Sequence, residues 1–367
     1  VTRVLFVDDE PLVLRSLDRA LRSRKLPWEA RFVDSSTGAL ELLAREPFDV
    51  VVADLRIPDL DGVALLGEVR RSYPWIARLV LSGQVGTDDG LRAMRVAHQC
   101  MAKPCNIETL RHIVGRLQLG AHLVDDELAG AATALACLPS PPRVHAEVSA
   151  AIARGAGLAE LAAIIDGDVA VTAKLIQVVN SVFWSSPASV GPSVTTVQRA
   201  LTVLGPDVVR DLLLGVEVFR GLESGAGSTA RVAALAAHSR RVAEVARGLA
   251  PRELAGDAYL AGTLHDLGEL VLEGLGQADR ADHARAGGYL LNLWGLKDRV
   301  VDAITHHHAP EAVADDVALV DLVHVAEVAV SEREGAGWPL SPAWLARNGA
   351  DRLAEARALA DAPEQPS

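Results

Sequence analysis

Phe48-Asp49-Val50-Val51-Val52-Ala53-Asp54-Leu55-Arg56-Ile57-Pro58-Asp59-Leu60-Asp61-Gly62 is the stretch on which the fold turns. Phe48–Ala53 reads as a short strand buried on both faces, and it breaks off at an acid, Asp54. Working outward, Val4–Val7 has the same character and ends in Asp8, Asp9 and Glu10. Arg78–Leu81 is a third such run and ends at Ser82; Met94–Ala102 holds a last one, followed by Lys103-Pro104. Helical patterns separate them. Pro11 opens a helix with Leu14, Leu17 and Leu21 on one side, and proline in the first turn forfeits no internal hydrogen bond. Ser35-Ser36-Thr37 can cap a helix carrying Leu40 and Leu43, and Ile107–Leu119 is amphipathic. Strands alternating with helices predict a parallel α/β domain over residues 1–120.

Beyond it the pattern changes. Residues 121–137 are rich in Ala and Asp and lead to Pro139, Pro141 and Pro142, which predicts a partly helical connector. From there to residue 330 no strand alternation stands out. Helical patterns succeed one another instead: Leu158–Ile165, Val169–Val179, Val194–Leu204, Val208–Val218, Val232–Leu249, Ala258–Leu272, His283–Leu293, Arg299–His306 and Ala318–Val330. The expectation is an all-α domain over residues 138–330, then a C-terminal helix and a disordered tail within 331–367.

Bulk composition fits this division. Half of the 367 residues are hydrophobic and 4% are aromatic, which favours helix-rich packing over an aromatic-rich β sandwich. The net charge of −12 gives the chain no overall attraction to a phosphate backbone and argues against DNA as a partner. Cys100, Cys105 and Cys137 match no metal-ligand spacing and read as reduced thiols of a cytoplasmic protein. No apolar run approaches the roughly 20 residues of a membrane span, and Val1–Val7 lacks the apolar length of an export signal.

Polar residues in the first domain fall just past the strand ends, where sites of doubly wound sheets form. Asp8, Asp9, Asp54, Ser82 and Lys103 are thereby expected to converge. Carboxylates that repel one another in a small volume call for a hard cation, and magnesium suits carboxylate, water and phosphate oxygens. Asp54 is then the nucleophile, Lys103 the charge facing the phosphoryl oxygens and Ser82 a hydrogen-bond donor to them. Asp8-Asp9-Glu10-Pro11, Asp54–Gly62, Leu81-Ser82-Gly83 and Lys103-Pro104 together resemble the receiver domain of response regulators. The resemblance implies a flavodoxin-like sheet of five parallel strands, a cis peptide before Pro104, and phosphoryl transfer from a sensor histidine kinase or phosphotransfer protein. It implies Asp8 and Asp9 as Mg2+ ligands, Asp54 as acceptor, Ser82 as switch hydroxyl, Lys103 as phosphate sensor, and the backbone carbonyl of Arg56 in the metal shell. Cys100 stands three positions before the lysine, where the family carries its aromatic switch residue.

Eight of the eleven histidines lie at or after His145. His238, His265-Asp266, His283, His306-His307-His308, His324 and Glu327 fall on or beside predicted helices. Neutral imidazoles and a carboxylate projecting inward from several helices can hold one or two divalent metals and activate water. Successive helical residues diverge by about 100°, so at most two of the three adjacent histidines can face one centre. Leu138–Pro142, Val179-Asn180-Ser181-Val182-Phe183, Gly262–Gly268 around His265-Asp266, Asp282-His283-Ala284, Trp294-Gly295-Leu296 and His307-His308 resemble the HDOD family, a branch of the HD metal phosphohydrolases. That resemblance implies a helical signalling module. Superfamily roles carried over give His238, His265, Asp266, His283 and His307 or His308 as metal ligands, with the late acid at Glu327 or Asp321. The Gly-Tyr-Pro signature of cyclic-di-GMP phosphodiesterases is missing; Gly288-Tyr289-Leu290 stands in its place.

Two functions compete on this reading. One is a response regulator whose HDOD half binds an output protein, with phosphorylation altering domain contacts or driving a homodimer. The other is a regulated metal phosphohydrolase acting on a nucleotide. Transcription control by DNA contact ranks below both, because no basic recognition helix stands out.

Overall fold

The computed structural model describes residues 1–83, 87–121, 124–134, 142–181, 194–206, 208–209, 212, 226–274, 282–313 and 318–363. The chain forms two compact units, one of Val1–Ala136, Asn180–Gly191 and Asn292–Gly295, the other of Cys137–Val179, Pro192–Leu291 and Leu296–Ser367.

In the first unit five strands, β1 (Thr2–Val7), β2 (Trp28–Val33), β3 (Val50–Asp54), β4 (Ala77–Ser82) and β5 (Gln99–Ala102), form a sheet in the order β2-β1-β3-β4-β5. Every pairing is parallel, so the fold is flavodoxin-like, with strand order reversing between β1 and β3. β3 and β4 are buried along their whole length, as strands covered on both faces must be. β2 lies at the edge and shows the half-exposed alternation that an edge permits. Helices α1 (Pro11–Ser23), α2 (Ser36–Leu43), α3 (Gly62–Ser72), α4 (Thr87–Ala93) and α5 (Ile107–Ala121) fill the connections. Leu14, Leu17 and Leu21 are the buried stripe of α1, and the Ser35 hydroxyl caps α2 by accepting from Gly38 N. The Lys103-Pro104 peptide is cis.

Within the residues 121–137 read as a connector, α6 (Asp126–Ala134) packs in the first unit. Its Thr133 carbonyl accepts from the buried Arg78 guanidinium at 3.1 Å.

Every described element of the second unit is helical: α7 (Pro142–Ala153), α8 (Leu158–Asp166), α9 (Val169–Asn180), α10 (Val197–Leu204), α11 (Ala226–Leu249), α12 (Ala255–Leu264), α13 (Leu267–Gly274), α14 (His283–Leu293), α15 (Asp298–His306), α16 (Ala318–Glu334) and α17 (Pro342–Asp361), the last broken at Gly349, whose φ is +77°. Of the expected helix Val208–Val218, all but residues 208–209 and 212 lies outside the described residues. Ala258–Leu272, expected as one helix, is two. The break falls at His265-Asp266, where the His265 ring bonds back to the Gly262 carbonyl at 2.8 Å. No described helix is long and apolar enough to cross a membrane.

Glycines let the second unit close around this break. A Cβ on Gly262 would stand 2.6 Å from the Ala243 Cα, and one on Gly268 would stand 1.8 Å from the His283 carbonyl oxygen. Side chains at either position would hold α11, α12, α13 and α14 apart.

Candidate functional site

Register assembles the first site. Val7 lies opposite Ala53 on β1 and β3, so Asp8 and Asp54 emerge side by side. Asp54 pairs with Leu81 on β4, and Ser82 pairs with Ala102 on β5, which puts Ser82 and Lys103 at the same edge. Ligand oxygens of Asp8, Asp9 and Asp54 lie within 4.8 Å of one another. The Lys103 ammonium donates to Asp54 Oδ2 at 2.9 Å and stands 2.6 Å from Asp8 Oδ2 and 3.7 Å from Glu10. Asp54 Oδ1 accepts from Leu55 N at 2.7 Å. Burial pushes the Asp8 carboxyl up, and Lys103 offsets this in part. Burial also works against the Lys103 charge, yet hydrogen bonds to Asp8 and Asp54 outweigh it and hold that ammonium above its ordinary range. Ser82 is buried at the end of β4. The Arg56 side chain turns outward to Asp89, leaving its backbone as the part that can serve the site.

On β5 the buried Cys100 thiol contacts the Met94 sulfur at 3.3 Å. Two soft side chains meet where the family carries an aromatic ring. Cys105 is half-buried and its thiol is pushed up to about 11 by burial. Cys137 lies outside the described residues.

The second site gathers around the break between α12 and α13. His238 projects from α11, Glu327 from α16, His283 opens α14, and His307 and His308 follow α15. His265 Nε2 lies 3.1 Å from Asp266 Oδ2 and 3.1 Å from Glu327 Oε2, and His238 Nε2 lies 2.8 Å from the same Glu327 oxygen. His283 Nε2 is 3.3 Å from Asp266 Oδ1 and 3.0 Å from His308 Nε2. Three ligand triads follow: His238, His265 and Glu327; His265, Asp266 and His307; His283, His307 and His308.

The rings are oriented from behind. Nδ1 of His265 bonds to the Gly262 carbonyl, Nδ1 of His307 to the Ile304 carbonyl at 2.7 Å, and Nδ1 of His238 to Glu334 at 2.8 Å. Each contact turns Nε2 toward the common centre, the arrangement that supporting groups impose on ligating histidines. Ser331 donates to Glu327 Oε1 at 2.7 Å and leaves Oε2 for the centre.

Charge in this cluster is strongly biased. Burial disfavours ionised His265, but Asp266 and Glu327 outweigh it and hold its pKa well above the ordinary value. Burial would likewise raise Asp266 and Glu327; the neighbouring histidines outweigh it and hold both far below the carboxylate range. Burial and adjacent histidines push His307 well down and His308 down to about 4, so both are neutral at neutral pH, the form that ligates.

Known families match successive parts of the chain. The response regulator receiver domain matches residues 4–115, the HDOD domain residues 138–280 and the HD domain residues 235–362. The chain is a response-regulator receiver domain fused to an HDOD domain. Its receiver half is 36% identical over 121 residues to the response regulator protein FleR of Pseudomonas aeruginosa, covering 32% of this chain and 25% of that protein. It is 37% identical over 133 residues to the hydrogenase transcriptional regulatory protein HoxA of Cupriavidus necator, covering 34% and 27%. The signal receiver domain of an HD domain-containing protein from Pseudomonas fluorescens Pf-5 is 28% identical, with a TM-score of 0.28, covering 30% of this chain and 87% of that one. The match thus spans about a quarter of the length of the two curated relatives.

In the receiver–HDOD chain both halves belong to metal-binding families, and both donor sets fit a metal. The receiver offers a knot of hard carboxylate oxygens. The helical half offers imidazoles and carboxylates, and His307 Nε2, fully buried, makes no hydrogen bond among the described residues. Of the late acids, Glu327 joins the cluster. Asp321 does not: its carboxylate is held by Arg347 at 2.7 Å and Asn348 at 3.1 Å. His306 is in none of the three triads; the charges that act on it are those of Asp302 and Arg285. His324 is a brace, bonding to the His307 carbonyl at 2.7 Å and accepting from Ser341 N. Sequence reasoning passed over Glu334 and Ser331, and their signal was available: both lie on the helix of Glu327, seven and four residues on, hence on its face.

Proposed function

We propose that Asp54 accepts a phosphoryl group from a sensor histidine kinase or phosphotransfer protein, and that its phosphorylation controls the HDOD half as a protein-interaction module in the cytoplasm. The observation that carries this is the meeting of Asp8, Asp9 and Asp54 oxygens within 4.8 Å, with the Lys103 ammonium 2.9 Å from Asp54. Asp8, Asp9, Asp54 and the Arg56 carbonyl would hold Mg2+, which when bound offsets the charge on the phosphoryl oxygens. The Asp54 carboxylate attacks phosphorus as the bond to the donor imidazole breaks, giving an acyl phosphate. Lys103 moves its contact from the carboxylate to the new phosphoryl oxygens, and the Ser82 hydroxyl can donate to them.

The test is beryllofluoride with Mg2+ on the whole chain. A change in solution scattering or oligomeric state that Asp54→Ala abolishes is expected; an unchanged profile removes phosphorylation control.

A second reading, metal-dependent phosphoester hydrolysis in the helical half, is favoured by one observation. Five histidines, Asp266 and Glu327 converge, and the inward nitrogens of His238, His265 and His307 are turned by contacts behind them. Metal analysis of the purified protein, repeated with His265→Ala and Asp266→Ala, tests it. Metal that is present in the native chain and lost in folded variants is expected, while a metal-free native chain that takes up no Mn2+ removes the reading.

A further inference from the structure

The His–Asp–Glu centre is buried at its floor and less so toward His308. His265 and His307 are fully buried and His283 is 7% exposed, whereas His308 is half-buried and marks the outer side. On that outer side stands Trp338, carried by the segment between α16 and α17. Its ring stacks on His308, centroids 3.9 Å apart and planes 24° apart, and meets His283 edge-on at 6.3 Å. The residue is nonetheless 42% exposed. A singly exposed aromatic means nothing by itself. This one is placed against two candidate ligands of a metal centre, with one face covered by an imidazole.

Its segment is also fixed. Gly335 and Gly337 take positive φ, 77° and 63°, and Ala336 N and Gly337 N both donate to the Ser331 carbonyl. Ser341 N donates to His324, and the Ser341 hydroxyl donates to Glu311 at 2.8 Å. The backbone on both sides of Trp338 is thereby tied to the helix that carries Glu327 and to the turn after His308. A large, flat, half-exposed ring held on an anchored segment loses little freedom when a flat ligand lies against it.

We infer that Trp338 is a specificity-determining platform: its open face stacks the planar aromatic part of a phosphoester whose phosphoryl group enters the His–Asp–Glu centre. This rests on the phosphoester reading of that centre and adds the residue that would select esters bearing a flat ring such as a nucleobase. Stacking on an aromatic side chain is indifferent to which base is present, so the preference is for bases as a class.

The test is calorimetric binding to the whole Mn2+-loaded chain of two non-hydrolysable probes, adenosine 5′-methylenephosphonate and the matching ribose phosphonate without a base. The native chain is expected to bind the adenosine compound about tenfold more tightly. Trp338→Ala should lose that margin by weakening the adenosine compound alone, and Trp338→Phe should keep most of it. Native fluorescence should be quenched by the adenosine compound in a component missing from Trp338→Phe. Equal binding of both probes by the native chain, or a margin unchanged in Trp338→Ala, overturns the platform and leaves the phosphoester reading standing. Failure of both probes to bind the native chain overturns both.

Discussion

Asp54 and Lys103 form the contact from which receiver chemistry starts, and their separation, 2.9 Å, leaves no room for a slack ion pair. Asp54→Asn is expected to abolish incorporation of phosphate from acetyl phosphate, read on a phosphate-affinity gel, while the thermal melt stays close to native. Glycine supports both sites in a way that charge reasoning does not foresee. A Cβ on Gly62 would stand 1.8 Å from the Asp54 carbonyl oxygen, so the residue after Asp61 is kept bare by the approach of α3 to β3. Gly62→Ala is expected to cost roughly 3 kcal/mol in denaturant unfolding of the receiver half, the scale of an overpacked core. Gly268→Ala meets the same obstacle at His283, 1.8 Å away, and should weaken Mn2+ uptake by more than tenfold while the receiver still phosphorylates. Uptake at the native level would mean that α14 can shift without moving its histidine.

At the scale of elements, the clearest miss is β2. Trp28-Glu29-Ala30-Arg31-Phe32-Val33 mixes charges with apolar residues, and an edge strand, with one side unpaired, tolerates that mixture. β3 and β4 announced themselves because burial on both faces leaves no place for polar residues. The hydrophobic period across Ala258–Leu272 also misled, since the stripe continues through a break that exists to aim His265 and Asp266. Element ends are tied together by Asp59, in the loop after β3, whose carboxylate accepts from Ser36 N at 3.1 Å, Thr37 N at 2.8 Å and Thr37 Oγ1 at 2.8 Å at the start of α2. The Thr37 amide first, then its hydroxyl and the Ser36 amide, hold Asp59 down to about 2. A depressed carboxyl stabilises the fold above its unfolded pKa and releases that contribution as pH falls through the folded one. The stability gap between native and Asp59→Asn should therefore be constant above about pH 4 and shrink toward pH 2, followed by urea midpoints across that window. Ser35→Ala removes the cap of the same helix and should lower stability by about 1 kcal/mol.

For the whole molecule, metal is the expected link between the helical fold and its chemistry. A cation bound only by the native state stabilises it by about 2.7 kcal/mol at a hundredfold excess over its dissociation constant. Mn2+ should raise the melting of the helical half, chelation should reverse the rise, and Glu327→Ala should remove the response while Asp321→Ala keeps it. By itself the sequence determined the parallel α/β half, the helical half and the strand ends where Asp8, Asp54, Ser82 and Lys103 emerge, because burial periodicity is local and sites of such sheets form where strands stop. Tertiary structure alone decided which of Glu327 and Asp321 enters the histidine cluster, that His307 and His308 both do so, and that Trp338 stacks against it. Those choices depend on how separate helices rotate and how closely their glycines let them approach, and no periodicity within one helix records the facing of another.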